Sequence, residues 1–474
     1  MVRQAVTARA GQSTAVSTAV ILCGLMLTSI LLPSDSAVNV YSFAAISVGL
    51  SLSLATVIEG RAGIRKLIRV DILMFWVLYG LTFLEFLFPQ PKVDALVSPA
   101  DAANGTNAVL FGFAGLAVGR HLVPWRGGSR VSTFLIDLRP ANVFLLFMLA
   151  TLLGYLHIFL AVNFDPFEAL RQMSLPRFSQ SWSRGQYGDA YTLLYEVGAL
   201  IYLIPPMAGM IYARSKEYKL FVKVVVTSVL LFTFYYGFTS GTRSVLAIYI
   251  ITFAGGYFLA KPQISLRQAL LVGVPMLVVS LLATVYMLAF RNVGLSNFVS
   301  SSSAELDSAS FFVDYNIVNV SHITAEFPSV FDYLGLEIPF NALIRPIPRV
   351  LWPSKPEGLS VTIESALGAS PGMTVSCAFV GEAYMAGGLV AVLLISLVFG
   401  AAAAMWNRMG ANSNLQFAQL LYASGFLCAA LAMRSMLSMV PVMLPTIALW
   451  IFGKLWLPRF SLRRAPPAFN SEKR

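Results

Sequence analysis

"FVGEAYMAGGLVAVLLISLVFGAAAA", residues 379–404, carries a single charge, Glu382, near its start and is otherwise apolar or small. An α-helix needs about 20 apolar residues to cross roughly 30 Å of hydrocarbon, so this stretch reads as a transmembrane helix. Working outward, comparable runs recur at 15–32, 38–58, 71–88, 106–123, 140–162, 191–213, 221–239, 243–260, 267–289, 415–433 and 436–456. Composition agrees: 57% of the 474 residues are hydrophobic and 12% charged, with a mean hydropathy of +0.73. Such a chain is dissolved in lipid, which excludes a soluble globular enzyme. The expectation is all-α: a polytopic membrane bundle of about twelve helices forming one transmembrane domain over 1–474. The first run is read as a retained helix, since no small-residue cleavage site follows it at "LLPSDSAVNV".

Lys and Arg between spans set the orientation, because cytoplasmic loops hold the positive excess. With both termini inside, 23 of the 33 cations fall on the cytoplasmic side, including four in "EGRAGIRKLIRV", then Arg120, Arg126, Arg130 and Arg139, and the basic tail 457–474. The net charge of +11 is then mostly a topology signal and requires no nucleic acid; membrane lipids are the expected partner of the tail. Cys23, Cys377 and Cys428 are scattered, giving neither a disulfide framework nor a metal spacing.

Two external loops are long: a medium one at 163–190 and a large one at 290–378, where "ITAEFPSVFDYLGL" and "VTIESALG" have apolar residues at helical intervals. Loops of that length without a role are uncommon, so chemistry is expected on the outer face. The ten external cations are concentrated there. Arg171, Arg177 and Arg184 lie in the medium loop, Arg291, Arg345, Arg349 and Lys355 in the large one, and Arg243 and Arg434 in tight turns between spans. Guanidinium forks bind phosphate oxygens bidentately and keep their charge when partly desolvated, which suits a diphosphate at a membrane surface. Single arginines there also snorkel, cap helix ends or pair with the many external carboxylates; the set as a whole points to function.

Four passages in order, "SGTRSVLA", "RPIPRVLWPSKP", "VGEAYMAGGLVAVLLISLVFG" and "AMRSML", resemble the O-antigen polymerase, or oligosaccharide repeat unit polymerase, family (Wzy-type). Arg177 and Gly188, with ten residues between them, fit a further spacing seen in that family's first long loop, which Arg345 and Arg349 do not repeat. The resemblance implies a membrane glycosyltransferase fold of the GT-C-like kind. It implies a substrate, undecaprenyl-diphosphate-linked oligosaccharide, and pathway partners, a chain-length regulator and a flippase. It also implies a reaction: a growing glycan leaves the lipid diphosphate and joins a new lipid-linked repeat unit on the periplasmic face of a bacterial inner membrane.

That reaction builds negative charge on a diphosphate leaving group, which prepositioned arginines stabilise without a metal. The residues expected to carry it are Arg243, Arg345, Arg349 and Arg434, with Arg171, Arg177, Arg291 and Lys355 binding substrate. No cofactor is implied; Glu305-Leu306-Asp307 is an ordinary acidic turn. A general base is needed within reach of the acceptor hydroxyl. His322, the one histidine in an external loop, and Glu382, at the outer mouth of a span, are the candidates, Glu382 preferred; His157 lies inside a span and is set aside. Trp352, locked between prolines, and Tyr384 offer aromatic faces for sugars. Two alternatives stay open: an O-antigen ligase transferring glycan to a lipid A core, and a transporter or flippase.

Overall fold

The computed structural model describes residues 2–61, 63–123, 138–176, 179–182, 194, 196–261, 263–300, 314–347, 351–356, 358–368, 375–411 and 416–455. Among them the secondary structure is helical throughout. The long helices are α1 (Val2–Ile30), α2 (Ala37–Gly60), α3 (Val70–Thr82), α4 (Pro99–Leu122) and α5 (Pro140–Ala161). Short α6 (Pro166–Met173) precedes α7 (Ile204–Ala213), α8 (Leu220–Thr239), α9 (Arg243–Ala260), α10 (Leu266–Val293) and α11 (Leu295–Ser300). The large loop contributes α12 (Asn316–Glu326), α13 (Glu337–Ile344) and α14 (Ile363–Ala366), and the chain closes with α15 (Ala378–Ala411), α16 (Gln416–Arg434) and α17 (Met436–Leu455).

Eight of these, α1, α2, α5, α8, α9, α15, α16 and α17, are long and apolar enough to cross a membrane. Helix α3, the segment Gly198–Ala213 and the Arg267–Ala283 part of α10 are apolar but shorter. Helix α4, polar over its first two turns, is not among the eight. Leu50, Leu152, Leu231 and Val390 point outward and largely exposed, as lipid-facing side chains do, because burial between helices offers a leucine little that lipid tails do not.

Two large clusters make up most of the described interior. One gathers α1–α4, α12 and α15 around Tyr41, Phe83, Phe113 and Phe379; the other gathers α5, α7, α8 and α9 around Phe147, Ile158, Met207 and Val226. Helix α16 is buried over most of its length and belongs to both, Tyr422 and Phe426 facing the first and Leu420 and Leu421 the second. Small residues let backbones close up where sequence alone suggested only apolarity. A Cβ on Gly119 of α4 would stand 2.4 Å from the Leu397 carbonyl of α15, and one on Gly400 would stand 2.5 Å from the Leu116 carbonyl. Close approach of this kind is how helices associate without a hydrophobic driving force.

The large loop is partly interior. Ile317, Val320 and Ile323 of α12 are fully buried in the first cluster, and Ser321 meets the Tyr41 hydroxyl at 2.7 Å. The helical intervals in "ITAEFPSVFDYLGL" become helix only as far as Glu326, after which Pro328 and a run of turns follow; "VTIESALG" yields the single turn α14, begun by the Thr362 hydroxyl accepting from the Ser365 amide at 3.1 Å. Helix α13, inside the proline-rich end of the loop, was not expected.

Helix α15 is broken. Gly388 sits at φ +64, ψ −155, a conformation essentially confined to glycine. The break frees the carbonyls of Met385 and Ala386, and the amides of Leu334 and Gly335 in the large loop donate to them at 2.9 Å each. The loop is thereby strapped to the short first part of α15, which carries Glu382.

Candidate active site

Three chain segments converge where α16 turns into α17. Only Ser435 separates Arg434, the last residue of α16, from Met436, the first of α17. Its hydroxyl oxygen accepts from the Ser438 amide at 3.2 Å, capping α17, and its proton goes to Glu382 Oε1 at 2.5 Å. The other carboxylate oxygen accepts from the amides of Met436 and Leu437. Glu382 is 2% exposed, so these donors are what keeps a buried carboxylate tolerable. Through them it caps a helix other than its own, at the end where the dipole favours an anion, beside the corner that carries Arg434. Arg434 Nη1 donates to Ser244 Oγ at 2.7 Å.

The proline-rich stretch reaches the same place. Arg345 follows α13 directly, and Lys355 Nζ doubles back to donate to the carbonyls of Arg345 (3.0 Å) and Ile347 (2.9 Å), cation against helix carboxyl terminus. Arg345, Lys355, Glu382 and Arg434 consequently line one chamber of about 500 Å³, together with Ser376 and Ser435. Three cations against two carboxylates, Glu364 and the helix cap Glu382, leave its wall net electropositive.

A second chamber, about 430 Å³, adjoins the first and shares Arg345 and Ser438 with it. It is lined by aromatic rings, Trp182, Tyr202, Tyr236 and Tyr249, and by His157, Gln180 and Glu196. Sequence reasoning did not find it, because its residues are scattered over six segments and most read locally as packing. His157, set aside as buried in a span, stands one turn from the end of α5 and on this wall.

Of the other expected residues, Arg243 opens α9, where a cation opposes the helix dipole; an ion pair with Asp314 offsets this and ties the α8–α9 turn to the large loop. Arg171 grips Glu168 on α6 by two bonds, 2.7 and 2.6 Å, well exposed, and with Gln172 holds that carboxyl down at about 2. His322 lies half-buried on α12, Tyr384 packs edge-on against Tyr333, and Trp352 donates to Ser354 Oγ at 3.0 Å; none of these three lines either chamber. Arg177 and Arg349 lie outside the described residues, as do Arg184 and Gly188 and the side chain of Arg291. Among the described residues no three of His, Cys, Asp or Glu converge to hold a metal ion.

A family model for a domain of unknown function (DUF8712) matches residues 207–413. That range includes Arg243, Arg345, Lys355 and Glu382 but neither Arg434 nor the His157 and Trp182 side of the second chamber. No curated protein and no solved structure matches the chain.

Proposed function

We propose that this protein is a membrane glycosyltransferase that polymerises undecaprenyl-diphosphate-linked oligosaccharide repeat units into a surface polysaccharide. In this reading about twelve helices span a bacterial inner membrane, both termini are cytoplasmic, and both chambers open toward the periplasm. The observation that carries it is the electropositive chamber. Arg345 from the large loop and Arg434 from an interhelical corner line one cavity with Lys355, although 89 positions separate the two arginines in the sequence. Fixed cations are suited to a leaving group whose charge grows as the reaction proceeds. The bond between the anomeric carbon and the diphosphate oxygen breaks, its electron pair stays on the diphosphate, and the acceptor hydroxyl oxygen bonds to the carbon. Proline and the Lys355 bridge hold Arg345 in advance, lowering the entropy lost when substrate binds.

The break in α15 favours a second reading, since discontinuous helices often line transport sites; a ligase would use the same diphosphate chamber with a lipid A core as acceptor. One experiment separates the three. Purified protein in nanodiscs is given only lipid-linked repeat units, extracted from cells lacking the protein, with a chelator present. Polymer longer than the input supports the polymerase; no product without added lipid A core points to the ligase, and no product with it to the transporter.

A further inference from the structure

The second chamber is lined mainly by aromatic and neutral side chains, and it shares Arg345 and Ser438 with the chamber we assign to the diphosphate. Its volume, about 430 Å³, falls within the range of about 300–1,000 Å³ typical of small-ligand pockets. Its lining combines aromatic rings with a few polar groups, the pattern such pockets use to hold and orient a ligand. Tyr202 and Tyr236 are half-buried and keep accessible surface, Trp182 and Tyr249 are almost fully buried, and the Tyr202 and Tyr249 rings stand 5.4 Å apart, tilted. A sugar has apolar C–H faces for these rings and hydroxyl edges for Gln180 and Glu196.

His157 is oriented for proton transfer. Its Nδ1 stands 2.9 Å from the Gly154 carbonyl, which can only accept, so Nδ1 carries the hydrogen and Nε2 is the basic nitrogen of the neutral ring. The ring lies against Gly198, where a Cβ would approach its Cε1 to 2.6 Å. That contact leaves it little freedom to turn.

We propose that the second chamber seats the acceptor sugar of the incoming repeat unit, and that His157 receives the proton of the hydroxyl that attacks. This rests on the glycosyltransferase reading and assigns the acceptor half of that site. The hydroxyl oxygen forms its bond to the anomeric carbon of the glycan whose diphosphate lies beside Arg345; the C–O bond to that diphosphate breaks with its electron pair; the hydroxyl proton passes to His157 Nε2 and then to solvent. Arg345, common to both chambers, lies at the join.

The test uses the full-length protein in nanodiscs with three probes: undecaprenyl diphosphate, the lipid-linked oligosaccharide that accumulates in cells lacking the protein, and the free oligosaccharide released from it by mild acid. Trp182→Ala is expected to weaken binding of free oligosaccharide at least tenfold and to leave undecaprenyl diphosphate binding unchanged, which also shows that the variant is folded. His157→Ala is expected to lower kcat about 10²–10⁴-fold, the usual contribution of a general base, with little change in KM. Added imidazoles should restore the rate in order of their pKa, which a space-filling rescue would not produce. If parent protein makes polymer while both variants match it, the acceptor assignment is wrong and the function stands; equal rescue by imidazoles of different pKa also overturns the base. If the parent binds none of the probes and makes no polymer, the glycosyltransferase reading itself falls.

Discussion

Arg345 and Arg434 differ from Arg171 and Arg243 in what they line. Arg171 pairs with Glu168 and Arg243 with Asp314; Arg345 and Arg434, the latter also donating to Ser244, line a cavity large enough for a ligand. Arg345→Ala or Arg434→Ala should therefore cut polymerisation by about 10²–10³-fold, the range for removing one fixed donor from a charge-stabilising site. Lysine at either position should recover only part, since it lacks the bidentate fork. Shortened glycan ladders in cells and reduced kcat on lipid-linked repeats would report both. Glu382 separates two roles cleanly. A general base converted to an amide keeps its fold and loses its rate; a helix cap loses stability, because Glu382→Gln has one acceptor oxygen where the carboxylate has two and cannot both take the Ser435 proton and accept from the Met436 and Leu437 amides. We expect a destabilisation of about 1–3 kcal/mol, read as a lower melting temperature in detergent, with activity falling alongside it. The cations of this site were legible from the sequence as charges on the disfavoured side of a topology count. The partners were not: that Glu382 caps α17 and that Lys355 closes on Arg345 depend on chain segments that only folding brings together.

Helix α15 shows what periodicity can and cannot say. Residues 379–404 read as one apolar span, and a helix is there, but the Gly387–Gly388 pair breaks it and turns two freed carbonyls toward Leu334 and Gly335. Hydropathy averages over such a break because glycine is neither strongly apolar nor charged. Gly388→Ala forces a side chain into a positive-φ conformation, costing about 1–3 kcal/mol, and sets a Cβ 2.7 Å from the Tyr333 hydroxyl. The expected result is a protein that still inserts but loses the strap between loop and helix: lower thermal stability, and faster proteolysis near 334–336. No loss of stability would show the strap to be dispensable. Gly119→Leu acts elsewhere, prising α4 from α15 at their closest approach. It should stop folded protein accumulating in the membrane rather than slow catalysis in what does accumulate. The small residues of α4 were visible in the sequence, but which of them touch another backbone was not.

At the scale of the molecule, the two ends of the bundle are chemically unlike. One end holds the paired chambers. The other holds a buried ion network: Arg69 pairs with Glu59 (2.6 Å) and Asp71 (2.5 Å), and Arg120 pairs with Glu59 (3.0 Å) and Asp71 (3.3 Å). Asn407 near the far end of α15 donates to Asp71 at 2.6 Å, and Arg120 also donates to Ser17 and Thr18 of α1. Counted along the sequence, Arg69 and Arg120 were loop cations marking the cytoplasmic side; folded, they are neutralised and clamp α1, α2, α3, α4 and α15 together. Glu382 and Asn407 lie at opposite ends of α15, about 37 Å apart if the helix ran straight at 1.5 Å per residue. The network should accordingly govern assembly and leave the chemistry alone. Removing Arg120 as Arg120→Met leaves Arg69 shared between two buried carboxylates, one negative charge uncompensated where water does not reach, at a cost of about 3–5 kcal/mol, typical of breaking a buried pair. Pairing it with Glu59→Gln should recover much of that loss, since the double variant leaves Arg69 and Asp71 as a neutral pair. A double-mutant cycle on melting temperature gives the coupling, and specific activity per folded molecule gives the second half of the argument. Strong coupling with unchanged specific activity would place this network in folding; additive melting shifts would mean that the ions are independent, and a fall in specific activity would mean that the two ends of the bundle are linked through α15.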